Sequence, residues 1–282
     1  MSEDNLIVVL VLFAALLHAS WNALVKGGQD KLIVLATANF VGTVFGFVCI
    51  FVLPFPDSAA WPYLIASAIF HTGYYFYLLN AYEHGDLSQV YPLARGTAPL
   101  LISIGAWIFA GETITVIGML GVCLASFGII ALSFERGSPF NGKNHAVIPA
   151  LVTSLWIAAY SITDGIGGRL AGNVFSYVVW LAFIDGIPIV LYTIHLRGST
   201  EVFSYLRSRW VFGVLGGTFS LLAYGTVIYA MSLGAMGMVS AVRETSVIMA
   251  ALIGIVWFKE KLTPIRVIAA IVVTLGVLLL KS

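Results

Sequence analysis

Long apolar segments follow one another along almost the whole chain, and each is about as long as a bilayer is thick. A helix needs about 20 mainly apolar residues to cross the hydrocarbon core of a membrane. The segments are continuously apolar and do not alternate with the period of two that a transmembrane β-barrel requires. The sequence therefore predicts an all-α integral membrane protein. The predicted transmembrane helices are ten: Asn5–Val25, Leu32–Leu53, Trp61–Tyr82, Leu87–Ala110, Thr113–Phe134, Ala146–Thr163, Val174–Leu196, Trp210–Ser232, Met236–Phe258 and Thr263–Leu280.

Composition excludes a soluble domain and several kinds of site. Only 10% of the 282 residues are charged and 60% are hydrophobic, whereas soluble domains carry about 25% charged residues. The net charge of +1 gives no reason to expect a nucleic-acid partner. No motif for a metal, a nucleotide or an activated nucleophile is present. We therefore expect no catalytic residue, no cofactor and no metal. The expected partners are a small-molecule substrate and membrane lipid, for a monomer or a homodimer.

The boundary between the eighth and ninth helices is the least obvious one. Residues 210–242 contain no formal charge. A single helix from Trp210 to Phe258 would be about 73 Å long at 1.5 Å per residue, far beyond the roughly 30 Å hydrocarbon core. A turn must intervene, and the glycine-containing residues 233–237 (LGAMG) are its predicted place.

A polar segment at residues 135–144 (ERGSPFNGKN) separates two similar halves. We interpret residues 1–134 and 145–282 as two five-helix repeats. FHTGYYFYLLNAYEHG, from Phe70, aligns with FSLLAYGTVIYAMSLG, from Phe219. Further along, Arg95 aligns with Arg243 and GETIT (111–115) with KEKLT (259–263). Because five is an odd number of helices, the second repeat is expected to be inverted in the membrane.

The distribution of basic residues predicts an orientation. Corresponding loops of the two halves carry opposite charge bias, as inverted copies should under the positive-inside rule. The odd-numbered loops carry most of the Lys and Arg residues, and the same rule places these loops in the cytoplasm. Both termini are therefore expected outside. The basic residues expected in the cytoplasm include Lys26, Lys31, Arg136, Arg207 and Lys259.

Taken together, these features resemble one known family. Ten spans, two five-helix repeats, the repeated E-x-x-T entry to the last helix of each half and HASWNALVK (18–26) are similar to the drug/metabolite transporter superfamily, EamA type. The resemblance implies an integral, multi-pass protein of the bacterial inner membrane. It also implies a transporter rather than an enzyme, which moves small metabolites, commonly outward, through a central cavity that helices four and nine line.

Arg95 and Arg243 are the two basic residues that lie deep inside predicted spans. A charge at the bilayer centre costs about 3 to 17 kcal/mol, depending on method, so such a group should face protein or water. Inverted repeats would bring both arginines toward the midplane, where their planar donor groups suit a carboxylate or phosphate. The alternative is a structural role, in which Arg243 pairs with Glu244 and Arg95 with Asp185.

Other polar and aromatic residues inside the spans complete the predicted site. Four ionisable residues are candidates for proton coupling, although each could instead be a satisfied core residue: Asp185, Glu244, His71 and His18. Six further residues are expected to line a substrate pocket by stacking or hydrogen bonding, although aromatics also serve as packing residues: Trp21, Asn22, Tyr91, Trp156, Tyr160 and Tyr224.

Three functions fit this pattern to different degrees. Inverted repeats with charges near the midplane favour a secondary transporter, expected to be an exporter of a small polar metabolite with an anionic group, such as an amino acid, a carboxylate or a phosphonate. A flippase for a lipid-linked anion would also suit two arginines. A membrane-embedded lipid-modifying enzyme would need a nucleophile–base pair or a metal-binding acid cluster, and neither pattern occurs.

Overall fold

The protein is α-helical throughout the part that the computed structural model describes, which is residues 3–26, 30–84, 87–135, 137, 147–259 and 261–280. A single 3-10 turn covers Ser58–Ala60. The α-helices are α1 (Glu3–Lys26), α2 (Lys31–Cys49), α3 (Trp61–His84), α4 (Leu87–Ala110), α5 (Val116–Leu132), α6 (Val147–Leu170), α7 (Val174–Arg197), α8 (Ser199–Leu233), α9 (Met236–Arg243), α10 (Thr245–Phe258) and α11 (Pro264–Leu280). Arg136 and most of the predicted 135–144 linker lie outside the described residues.

Short polar side chains fix where several helices begin. The Asp30 carboxylate accepts the backbone N–H groups of Leu32 and Ile33 at the start of α2. Asn173 caps α7 in the same way, and the Thr115 hydroxyl caps α5. Such caps satisfy backbone donors that have no partner inside the helix. They explain why the apolar segments begin as helices where they do.

The helices have the length and composition of membrane spans. Within the described ranges, seven helices are long and apolar enough to cross a bilayer. The shorter helices α5 and α11 are also apolar, with 17 residues each. The prediction of an all-α membrane protein is therefore confirmed, whereas the count of ten spans in inverted repeats stays a prediction.

Several predicted helices differ from those observed. Helix α2 ends at Cys49, before the predicted Leu53, and α6 continues to Leu170, past the predicted Thr163. The predicted start of the eighth helix at Trp210 coincides with a kink, because Arg209 has non-helical angles and separates the helical residues from Ser199 onward from those that follow. The ninth predicted helix is observed as two helices, because the helix is interrupted at Glu244, between α9 and α10. The predicted turn near residue 234 is present, since α8 ends at Leu233 and α9 begins at Met236.

Helices of the two halves pack directly against each other. The main contacts pair α1 with α8, α2 with α7, α3 with α6 and α5 with α11. Glycines allow the closest of these approaches. A Cβ at Gly46 of α2 would lie 2.6 Å from the Val179 carbonyl oxygen of α7, and one at Gly121 of α5 would lie 2.7 Å from the Gly276 carbonyl oxygen of α11. Small residues at crossings let helix backbones approach closely in membrane proteins.

This packing predicts opposite effects for two glycines on one helix. Gly46→Ala should destabilise the protein by about 1–3 kcal/mol, because its methyl group would meet backbone atoms that cannot move aside. Gly42→Ala, one turn earlier, has no atom within 4 Å of the new methyl group, and should stabilise the helix by up to about 1 kcal/mol. Apparent melting temperatures in detergent would measure both. Equal melting temperatures for the two variants would contradict the close α2–α7 packing.

The ion pair between Arg169 and Glu112 connects the ends of four helices. The Arg169 guanidinium, near the end of α6, donates to the carbonyl oxygens of Met231 and Gly234 at 2.8 Å each, where α8 ends. It also pairs with the Glu112 carboxylate at 2.5 Å, in the loop that follows α4. The second Glu112 oxygen accepts the Met236 N–H at the start of α9. Polar groups at the ends of helices from both halves are thus satisfied together.

Candidate functional site

A cavity of about 180 Å³ lies between the two halves, lined by α1 to α4 and by α6 to α9. Most of its wall is apolar or aromatic, with two polar regions. The first contains Arg95 and Arg243, and the second contains Asp185, Tyr75 and Asn39. An apolar pocket with a few converging polar groups is the usual form of a small-molecule site.

The two arginines share one carboxylate. Arg95 Nε, from α4, donates to Glu244 Oε2 at 2.8 Å, and Arg243 Nε, from the end of α9, lies 3.4 Å from Glu244 Oε1. All three side chains are buried, since Arg95 and Arg243 are 3% exposed and Glu244 is 0% exposed. The helix break at Glu244 lets neighbouring side chains meet, although adjacent residues of a regular helix point about 100° apart. Two cations and one anion leave a formal charge of +1 in this cluster.

Each arginine keeps an unused donor. Nη2 of Arg95 and Nη2 of Arg243 are buried, and neither has a hydrogen-bond partner in the part of the chain described. A buried donor without a partner costs about 1–3 kcal/mol, and more if it is charged. Since both arginines also line the cavity, the cluster has the charge and the donors to receive an anionic group.

The alternative pairing of Arg95 with Asp185 is wrong. Asp185 Oδ2 lies 2.9 Å from the Tyr75 hydroxyl, and Arg95 pairs with Glu244 instead. The sequence could not distinguish these carboxylates, because both lie in apolar helices and the choice depends on which helices α4 contacts. The alternative pairing of Arg243 with Glu244 is present, as the longer of the two contacts at this carboxylate.

Polar side chains of α1 contact Tyr91, whose ring lies next to Arg95. The Asn22 amide donates to the His18 carbonyl at 2.9 Å and to the Tyr91 hydroxyl at 3.3 Å. The Tyr91 hydroxyl lies 3.5 Å from His18 Nε2, and the Arg95 guanidinium carbon lies 6.0 Å from the Tyr91 ring centroid. These contacts hold the aromatic face against the cation.

Aromatic rings form the wall between the two polar regions. The His71 ring stacks on Tyr160 with 4.0 Å between centroids, and Tyr224 meets both rings edge-on. Behind them, the buried Asp164 carboxylate accepts hydrogen bonds from Tyr177 at 2.9 Å and from Tyr224. Offset and edge-on contacts between rings are favourable and give the wall a defined shape.

Most of the predicted site residues meet at this cavity. Trp156 does not line it, because its ring packs between Phe70 and Tyr77 of α3. Glu244 lies behind the two arginines. Asn39 was missed, although a lone amide in an apolar segment was a usable signal. The predicted residues that line the cavity are His18, Trp21, Asn22, His71, Tyr91, Arg95, Tyr160, Asp185, Tyr224 and Arg243.

No metal centre is formed by the side chains that the structure describes. Nowhere among them do three or more His, Cys, Asp or Glu residues group closely enough to hold a metal ion. The cysteines Cys49 and Cys123 are both free thiols on different helices. The polar chemistry of the described cavity is therefore that of arginine, carboxylate, amide, hydroxyl and imidazole groups.

Comparison with known proteins agrees with this architecture. A solved structure, described only as a crystal structure of a protein, superposes with a TM-score of 0.79 over 99% of this chain and 96% of its own length, at 16% sequence identity. At that identity the likeness shows the fold alone. No curated protein sequence matches the chain. The family model of the EamA-like transporters matches residues 5–134 and again residues 145–282. Since the two matches cover nearly the whole sequence, the chain belongs to the EamA-like transporter family, within the drug/metabolite transporter superfamily.

Proposed function

We propose that this protein is a secondary transporter that exports a small polar metabolite with an anionic group, such as an amino acid, a carboxylate or a phosphonate. The observation that carries the proposal is the arginine cluster, in which two buried guanidiniums of cavity-lining residues share one carboxylate and each keeps an Nη2 without a partner among the described residues. An oxyanion placed there would satisfy both donors and neutralise the remaining positive charge. Burial strengthens this attraction relative to water.

The proposed architecture explains why the site is built from both halves. Ten spans in two inverted repeats, 1–134 and 145–282, would place the cavity at the repeat interface near the bilayer midplane, where transporters of this design bind substrate. The energy would come from a gradient or from exchange, since the sequence contains no ATP-binding motif. We place the protein in the bacterial inner membrane, as a monomer or a homodimer, with both termini outside.

The size of the cavity favours a metabolite over a lipid-linked group. Its volume of about 180 Å³ is close to that of an engineered cavity of about 150 Å³ that binds benzene. A ligand of a few heavy atoms fits such a space. A lipid-linked anion, which the flippase alternative requires, is larger than this space.

Matched pairs of ligands test the proposal. We expect the melting temperature of the purified protein to rise with at least one of three ligands that carry an anionic group, L-alanine, succinate and 2-aminoethylphosphonate. It should stay unchanged with L-alaninamide, succinamide and ethanolamine, which lack that group. Arg95→Lys keeps the charge but loses the planar donor fork, so the affinity for the stabilising anion should fall about tenfold, which corresponds to about 1.4 kcal/mol.

Uptake into liposomes then separates the alternatives. The stabilising anion should accumulate when a gradient is imposed, and Arg95→Lys should reduce this uptake. Equal stabilisation by the partners that lack the anionic group would contradict an anion site. Formation of a modified lipid without uptake would favour the enzyme alternative.

A further inference from the structure

A chain of three polar side chains crosses the second polar region of the cavity. The Tyr75 hydroxyl, from α3, lies 2.9 Å from Asn39 Oδ1 of α2 and 2.9 Å from Asp185 Oδ2 of α7. All three residues line the cavity. These three hydrogen-bonded side chains therefore connect three helices from both halves of the protein, at a place that the arginine cluster does not contact.

The orientation of the Asn39 amide is fixed by a separate contact. Asn39 Nδ2 donates to the Leu35 carbonyl oxygen at 2.9 Å. Turning the amide over would place two acceptor oxygens against each other there, so Oδ1 is the atom that faces Tyr75. Asn39 thus offers Tyr75 only an acceptor.

The number of protons available for these contacts determines whether Asp185 is protonated or ionised. A tyrosine hydroxyl has one proton to donate, yet two oxygens lie at hydrogen-bonding distance from Tyr75. If Asp185 is ionised, both neighbours are acceptors and one contact places two oxygens together without a proton. If Asp185 Oδ2 carries a proton, it donates to the Tyr75 oxygen and Tyr75 donates to Asn39, so both contacts are hydrogen bonds.

No cation faces Asp185 among the described residues. Asp185 forms no ion pair with any of them, and its Oδ1 atom is buried without a partner. Helix α2 presents the Asn39 amide and the Thr43 hydroxyl, which donates to the Ala182 carbonyl. Helix α3 presents Tyr75, and α8 presents Ser220 and Tyr224 to the same cavity. The remaining charged or titratable groups around the cavity have other partners: Asp164 of α6 binds Tyr177 and Tyr224, His71 of α3 binds Ser67, His18 of α1 contacts Tyr91, and Arg95 and Arg243 bind Glu244.

Asp164 provides the contrast within the same protein. Its two carboxylate oxygens each accept a tyrosine hydroxyl, one from Tyr177 and one from Tyr224. Its contacts are satisfied in the ionised form, whereas those of Asp185 require a proton. Glu244, the other buried carboxylate, is held by two arginines.

We propose that Asp185 is the proton-binding carboxylate that couples transport to a proton gradient, with Tyr75 and Asn39 as the groups that respond to its protonation. This inference rests on the proposed transport function. When Asp185 Oδ2 releases its proton to cavity water, the Tyr75 hydroxyl turns to donate to the new carboxylate. It then no longer donates to Asn39, so this hydrogen bond between α2 and α3 is lost. Protonation restores that hydrogen bond, which links the proton to the packing of three helices.

Infrared spectroscopy tests the proton without any substrate. Purified protein in nanodiscs should show the carbonyl band of a protonated carboxylic acid, and the band should decrease at high pH. Asp185→Asn should remove the band, and Asp164→Asn, the matched control, should leave it. Asparagine is isosteric and can donate Nδ2 to Tyr75, so this variant reproduces the hydrogen bonds of the protonated acid and should fold. A band that survives in Asp185→Asn would overturn the inference.

Liposome transport tests the coupling with whichever anion stabilises the protein. Wild-type uptake should be faster when a pH gradient is imposed. Asp185→Asn should have the same rate with and without the gradient, while its melting temperature shows that it is folded. Uptake in Asp185→Asn that responds to the gradient as wild type does would overturn the coupling role. Failure of every anion to stabilise wild type would instead count against the arginine site, while the infrared result still decides whether Asp185 holds the proton.

Discussion

Replacing Glu244 with glutamine is expected to destabilise the protein by about 3–5 kcal/mol, because it leaves two buried guanidiniums without a counter-charge. Arg95 and Arg243 both contact this carboxylate, at 2.8 Å and 3.4 Å. A glutamine side chain could accept from one arginine through its amide oxygen. Its NH₂ group would then face the other arginine, where donor meets donor. The melting temperature of Glu244→Gln in detergent should therefore fall strongly.

A glutamate outside the cavity is the control for this change. Glu201 is exposed in the first turn of α8. Glu201→Gln removes the same charge but only solvent-exposed interactions, with the helix dipole and with Arg197, so it should cost less than about 1 kcal/mol. Similar losses for the two variants would contradict the role of Glu244 as the shared counter-ion.

Removing the whole arginine cluster should have the opposite pattern, with stability retained and function lost. Replacing a complete buried ion cluster by side chains of similar volume is often neutral or stabilising by about 1–4 kcal/mol, because no group is left unpaired. The triple variant Arg95→Met, Arg243→Met, Glu244→Leu leaves neither an ion nor an unpaired polar side chain in the cluster. We expect it to fold with a melting temperature at or above that of Glu244→Gln. It has no guanidinium left for an anionic group, so uptake of the anion should be abolished.

The sequence predicted the helices well because their main determinant is local. An apolar segment of about 20 residues must satisfy its own backbone in a membrane, and only a helix does so alone. The break at Glu244 was not predictable in this way. It lies where Arg95, 149 positions earlier in the chain, binds the Glu244 carboxylate, and that contact exists only in the folded protein.

The candidate site, like the fold, was predictable from the sequence only in part. Arg95, Arg243 and Asp185 were recognisable because an ionisable group inside an apolar segment is costly unless it has a role. Their partners were not recognisable. Arg95 could have paired with either Asp185 or Glu244 on sequence grounds, and only the packing of α4 against α9 decides it. Trp156 resembled a pocket residue by its position in the repeat, yet its ring lies between α6 and α3.

Anion binding by the triple variant tests the central claim most directly. The anion that stabilises wild type would be titrated into folded Arg95→Met, Arg243→Met, Glu244→Leu protein by calorimetry, with wild type and Arg95→Lys measured in the same way. The arginine cluster as the anion site predicts tight binding to wild type, weaker binding to Arg95→Lys and no measurable heat of binding with the triple variant. Wild-type affinity in the folded triple variant would contradict it.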